Sequence, residues 1–113
     1  MKISFDFDGT LTQGWVMKLA RTLIAQGEEV HITTARSSNE STAVFVTADL
    51  LGIPHKNCTF TEYQDKVNFL GDFDIHFDDD DYEIDLINRA EGRCKGLLVG
   101  FTNWRADVAK MMD

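Results

Sequence analysis

Four acids, a threonine and a lysine are spaced along this chain so as to gather oxygen-rich, negatively charged chemistry in one place. Asp6 and Asp8 close an apolar run, Lys-Ile-Ser-Phe-Asp-Phe-Asp-Gly-Thr. Ile3, Phe5 and Phe7 alternate with Lys2, Ser4 and Asp6, the period of a strand. Gly9 and Thr10 follow as turn residues, so the acids belong at the carboxyl end of that strand, the edge where open α/β sheets bind ligands. Two carboxylates side by side repel each other and lose hydration unless a positive charge joins them. A second group, the unbroken run Asp78 to Asp81, follows the alternating segment Phe73 to Phe77. Such a cluster most simply binds a hard divalent cation. Magnesium prefers oxygen ligands and takes one or two carboxylates together with a substrate phosphate. Asp6, Asp8, Asp78 and Asp79 contribute four negative charges if all ionise. One magnesium ion and one lysine return three, and a protonated Asp8 balances the rest. A protonated acid beside an ionised nucleophile is what acid–base catalysis requires.

The elements that must position these groups follow from periodicity. Lys2 to Phe7 is the first strand. Val16, Leu19, Ala20, Leu23 and Ile24 mark one face of a helix that Gly27 stops. Val30 to Thr34 is a β-branched strand. Ser37 with Glu40 makes a capping-box pattern, expected to open a helix with Val44, Phe45, Ala48 and Leu51 inward, ended by Gly52 and Pro54. Asn57 to Phe60 reads as a brief strand, Tyr63 to Leu70 as a short helix, and Phe73 to Phe77 as the fourth strand. A helix with Ile84 and Ile87 inward and Asp80 or Asp81 as its cap should follow. A strand from Lys95 to Phe101 and a helix from Trp104 to Met112 complete the pattern. Strands alternating with helices predict an α/β fold, a Rossmann-like three-layer sandwich around a mostly parallel five-stranded sheet. The ends of three strands then bring Asp6 and Asp8, Thr34, and Asp78 with Asp79 to one edge.

At 113 residues the chain is expected to form one domain, residues 1–113, with one core. Its 43% apolar and 11% aromatic content fits a packed globule. The net charge of −8 argues against generic affinity for nucleic-acid phosphates. No apolar run approaches bilayer length and no signal-peptide pattern is present, so the expectation is a cytoplasmic protein without a membrane partner. Cys58 and Cys94 make no metal or redox pattern and read as free thiols. His31 and His76, inside strands, read as structural histidines away from the site. Trp15 and Trp104 read equally as packing residues and as substrate anchors.

The ordered residues carry a resemblance. Asp6-Phe-Asp-Gly-Thr10 after an apolar strand resembles the first motif of the haloacid dehalogenase-like hydrolase superfamily. Thr34-Ala35-Arg36 is similar to its second motif, Lys66 stands where its third-motif lysine does, and Asp78-Asp79 with Glu83 resembles its fourth. Lys56 is an alternative to Lys66, whose segment leads directly into the acidic strand. The resemblance implies a magnesium-dependent phosphatase working through a phosphoaspartyl intermediate. Asp6 is then the nucleophile and Asp8 the general acid and base. Magnesium is implied to bind the Asp6 carboxylate, the Asp8 carbonyl and one of Asp78 and Asp79, with Asp79 favoured. Thr34 is implied to donate to a phosphate oxygen and Lys66 to offset charge. Gly9, Thr10 and Arg36 are candidate substrate contacts.

Neither interval between motifs has room for the cap domain of larger relatives, so a minimal, capless member is implied. An open site suits a bulky substrate, such as a phosphorylated macromolecule, or closure by a second copy of the chain. The substrate expected is nevertheless a small phosphorylated one, such as a nucleotide or another metabolite. A 3′-end phosphatase on nucleic acid is a further substrate reading. Two other classes use similar residues: a receiver-like phosphoaspartate signalling domain and a catalytically idle binding module.

Overall fold

The computed structural model describes residues 1–100. Its strands are β1 (Lys2–Phe5), β2 (Glu29–Thr34), β3 (Cys58–Phe60), β4 (Ile75–Asp78) and β5 (Lys95–Leu98). Its α-helices are α1 (Gly14–Ala25), α2 (Thr42–Leu51) and α3 (Asp81–Arg89). The strands form one sheet in the order β3-β2-β1-β4-β5, with every pairing parallel. The chain therefore builds outward from β1 in one direction, crosses back, and continues from β4 in the other. Right-handed crossovers put the helices of the two halves on opposite faces. The α/β expectation is met, and the sheet is wholly parallel.

Burial at helical spacing explains each helix. Val16, Ala20 and Leu23 are the buried stripe of α1, and Val44, Ala48 and Leu51 that of α2. Both end at a glycine in the left-handed region, Gly27 at φ 90° and Gly52 at φ 74°, where a side chain would be strained. Helix α3 begins at Asp80, whose carboxylate accepts the Tyr82 N–H at 2.9 Å. Of the two caps open in the sequence, Asp80 is the one used.

In β1 and β4 the residues Ile3 and Phe5 pair with Ile75 and Phe77. All four are buried in the larger core, and the Phe5 and Phe77 rings stack with centroids 4.7 Å apart. Each such apolar side chain contributes roughly 1.5–3 kcal/mol by leaving water. The intervening positions pair Ser4 with His76 and point to the opposite face. A smaller core of Leu70, Phe73, Ile87 and Cys94 is a separate cluster. No described helix is long and apolar enough to cross a membrane.

Several sequence expectations shift. Strand β1 ends at Phe5, although Asp6 still donates its N–H to the Phe77 carbonyl at 2.9 Å. The capping box of Ser37 and Glu40 is present but opens a single 3-10 turn, Ser38–Glu40, and α2 begins at Thr42. The helix expected over Tyr63 to Leu70 is reduced to one 3-10 turn, Lys66–Phe69. The reason is that Tyr63 donates its N–H across to the Ala35 carbonyl at 2.7 Å, which takes the preceding backbone out of helical geometry. His31 is only partly buried, with its Nε2 2.5 Å from Glu29. The expected helix from Trp104 lies outside the described residues, as does Phe101.

Candidate active site

Side-chain alternation decides which groups meet. Asp6 stands two residues beyond Ser4, and Asp78 two beyond His76, so all four project to the same face. Against that face lies the segment that carries Lys66, a lysine only 3% exposed. Its Nζ donates to Asp6 Oδ1 at 2.7 Å and to Asp78 Oδ2 at 2.6 Å. The Lys66 N–H donates to Glu83 Oε2 at 3.1 Å, tying the turn to α3. Burial works to lower the lysine's pKa, but the charges of Asp6 and Asp78 outweigh it and raise it. Lys66, not Lys56, is therefore the lysine of the site.

Asp6, Asp78 and Asp79 each offer a carboxylate oxygen within 4.8 Å of the others. Their positions inside that cluster differ. Asp78 is fully buried, and its oxygens are taken by Lys66, His76 and the Asp80 N–H. Asp79 is exposed and touches Thr10 Oγ1 at 3.4 Å. Thr10 Oγ1 also donates to Asp6 Oδ2 at 3.0 Å. Gly9, at φ 75°, lets the turn pass beside Asp79, since a Cβ there would lie 2.1 Å from Asp79 Oδ2. An all-oxygen donor set of three acids, one of them exposed and lightly engaged, fits a hard divalent cation.

Charge is distributed differently from the simple sequence balance. Burial, and then the neighbouring Asp78, push Asp6 up to about 8 despite Lys66 and Thr10. Asp78 stays below the ordinary carboxylate range: burial opposes this, but the His76 hydrogen bond and the positive charges nearby prevail. Asp8 is held low by its hydrogen bonds with Arg36, whose Nε and Nη2 reach its two oxygens at 2.9 and 2.8 Å. Protein groups alone thus favour a protonated Asp6 and an ionised Asp8, the reverse of the sequence expectation. The deficit is one of positive charge beside Asp6.

Thr34 is fully buried, and its Oγ1 accepts the Arg36 N–H at 3.2 Å. No bond joins it to the acids among the described residues, and it is the neighbouring Thr33, bonded to Ser4 Oγ, that shares the face of Asp6. Arg36 also stacks over Phe7, 5.0 Å from its ring centre, and donates to the Glu40 carbonyl. The expectation that His76 stands apart from the site is wrong. Its Nε2 lies 2.8 Å from Asp78 Oδ2, and its Nδ1 lies 2.9 Å from Ser4 Oγ, which continues to Thr33 Oγ1 at 2.7 Å. Burial lowers the His76 pKa against the pull of Asp78. The signal was available in the sequence as the spacing His76-x-Asp78. Trp15 packs on the larger core and donates to Gln13. Comparison of the chain with protein-family models, with curated proteins and with solved structures finds no match.

Proposed function

We propose that this protein is a magnesium-dependent phosphomonoesterase of the haloacid dehalogenase-like type, transferring the phosphoryl group first to Asp6 and then to water. The observation that carries this reading is the buried bridge of Lys66 between Asp6 and Asp78, with the exposed Asp79 beside it at the carboxyl edge of the sheet. A divalent cation held by Asp6 and Asp79, with the Asp8 carbonyl, would supply the positive charge that Asp6 lacks and offset charge on the phosphate.

The protein groups then divide the work. Asp6 attacks phosphorus, forming an acyl phosphate as the ester P–O bond breaks. Asp8 must first turn away from Arg36 and take up a proton from solvent, which it then gives to the departing oxygen. In the second step Asp8 takes a proton from water as that water attacks phosphorus, the bond to Asp6 breaks, and the carboxylate is restored. Lys66 keeps Asp6 oriented through Oδ1, and the Thr34 hydroxyl proton is left to donate to a phosphate oxygen. Positioning and charge neutralisation supply most of the acceleration in phosphoryl transfer.

The test is release of p-nitrophenol from p-nitrophenyl phosphate, with and without magnesium, by the native protein and by Asp6→Asn. Magnesium-dependent turnover that is abolished in Asp6→Asn is expected. No turnover by the native protein, or full activity in Asp6→Asn, refutes the proposal.

A further inference from the structure

The chain has two tyrosines, and both stand exposed beside the segment that delivers Lys66. Tyr63 is 70% exposed and Tyr82 is 59% exposed. Tyr82 lies in the first turn of α3 and donates to Asp65. Tyr63 is held far more firmly, and in an unfavourable backbone state. Glu62 and Tyr63 are consecutive non-glycine residues with φ of 54° and 64°, a region that bulky side chains avoid. That conformation is fixed from several sides. The Glu62 and Tyr63 N–H groups donate to the Arg36 and Ala35 carbonyls, Glu62 Oε1 accepts the Ser38 N–H, and the Tyr63 hydroxyl donates to Glu40. A backbone outlier maintained this thoroughly, at the rim of a site, points toward function.

The network also says which side of the site the ring serves. Tyr63 bonds Glu40, the Glu40 carbonyl accepts from Arg36, and Arg36 bonds Asp8. Asp8 is the residue assigned to the leaving oxygen, so Tyr63 stands on the leaving-group side. A tyrosine pinned by its backbone and its hydroxyl offers a flat apolar face with little conformational freedom left to lose. The surrounding charge narrows the ligand further. The side chains this network joins are the acids Asp8, Glu40 and Glu62 and the cation Arg36, a balance that disfavours a leaving group carrying additional phosphates.

We propose that Tyr63 is a specificity-determining residue that stacks a planar aromatic ring of the leaving group. The substrate class is then a small phosphomonoester with an uncharged, ring-bearing alcohol, namely a nucleoside monophosphate rather than a sugar phosphate or a polynucleotide end. The inference rests on the phosphatase reading and deepens it.

A matched pair tests it: adenosine 5′-monophosphate and ribose 5-phosphate share the reacting ester and differ in the base. The native protein should prefer the nucleotide in kcat/KM by roughly tenfold or more, the usual size of a base–aromatic stack. Tyr63→Ala should lower kcat/KM for the nucleotide by roughly tenfold more than for ribose 5-phosphate, and a native-like circular-dichroism spectrum and thermal transition show that the variant folds. Tyr63→Phe should retain most of the preference. Equal kcat/KM on the two substrates in the native protein, or an equal loss on both in Tyr63→Ala, overturns the role of Tyr63. Turnover of p-nitrophenyl phosphate with neither of the pair overturns the substrate class alone. Failure on all three substrates overturns the phosphatase reading itself.

Discussion

Magnesium affinity should rise steeply with pH across neutrality and then level off, because binding must displace a proton from Asp6. Burial and the adjacent Asp78 push that carboxyl up to about 8 when only protein groups surround it. A metal ligand must be deprotonated, so apparent affinity follows the ionised fraction of Asp6. That fraction is about 1% near pH 6, about 9% near pH 7 and half near pH 8, from the value of about 8. The affinity should therefore increase about fifty-fold over those two units, or about 2 kcal/mol, and less than about twofold more over the next unit. Titration calorimetry near pH 7, repeated in buffers of different ionisation enthalpy, should show nearly one proton released per ion bound. Asp79→Asn should weaken binding, as expected of a residue that would help to hold the ion. Affinity that is flat between about pH 6 and 8 would refute the reasoning, because Asp6 would then be ionised without the cation. The same linkage acts on stability. Asp6 has a raised folded pKa, so its contribution is complete below its unfolded value and lost as pH rises through about 8. Magnesium should restore stability most in that upper window.

Removing the charge of Lys66 by Lys66→Met leaves Asp6 and Asp78 buried without their shared partner. The expected cost is about 3 kcal/mol by denaturant unfolding, with a midpoint lowered by about 10 °C or more; a loss below about 1 kcal/mol would show that the bridge is energetically idle. Gly9→Ala places a methyl group where Asp79 Oδ2 now lies and forces a side chain onto a φ of 75°. It should cost about 1 kcal/mol of stability and at least about tenfold in magnesium affinity, with unchanged affinity counting against the close approach of the turn to Asp79.

How much was legible in advance can be followed residue by residue. The strand period at Ile3, Phe5 and Phe7, ending in Asp6 and Asp8, was readable because alternation is local. So were the glycine stops of α1 and α2. The sequence left Lys56 beside Lys66 and Asp81 beside Asp80, and the contacts of Lys66 with Asp6 and of Asp80 with Tyr82 decided between them. Tyr63 was misread because Lys66, Val67 and Leu70 have helical spacing, whereas the backbone bonds that override it come from Ala35 and Arg36. His76 was placed away from the site for a related reason. Its spacing to Asp78 was visible, but its partnership with Ser4 depends on the register of β4 against β1.

The amino-acid sequence by itself determined that an acidic, threonine- and lysine-containing edge would form at the ends of parallel strands. Side-chain period, turn residues and element order are properties of short segments, and they suffice for that. Only the tertiary structure decided how the acids differ. Asp78 was committed to Lys66 and His76, Asp79 was left exposed, Asp8 was turned to Arg36, and Asp6 was left needing positive charge. Those distinctions depend on burial and on contacts between groups as much as 72 positions apart, which no local pattern encodes.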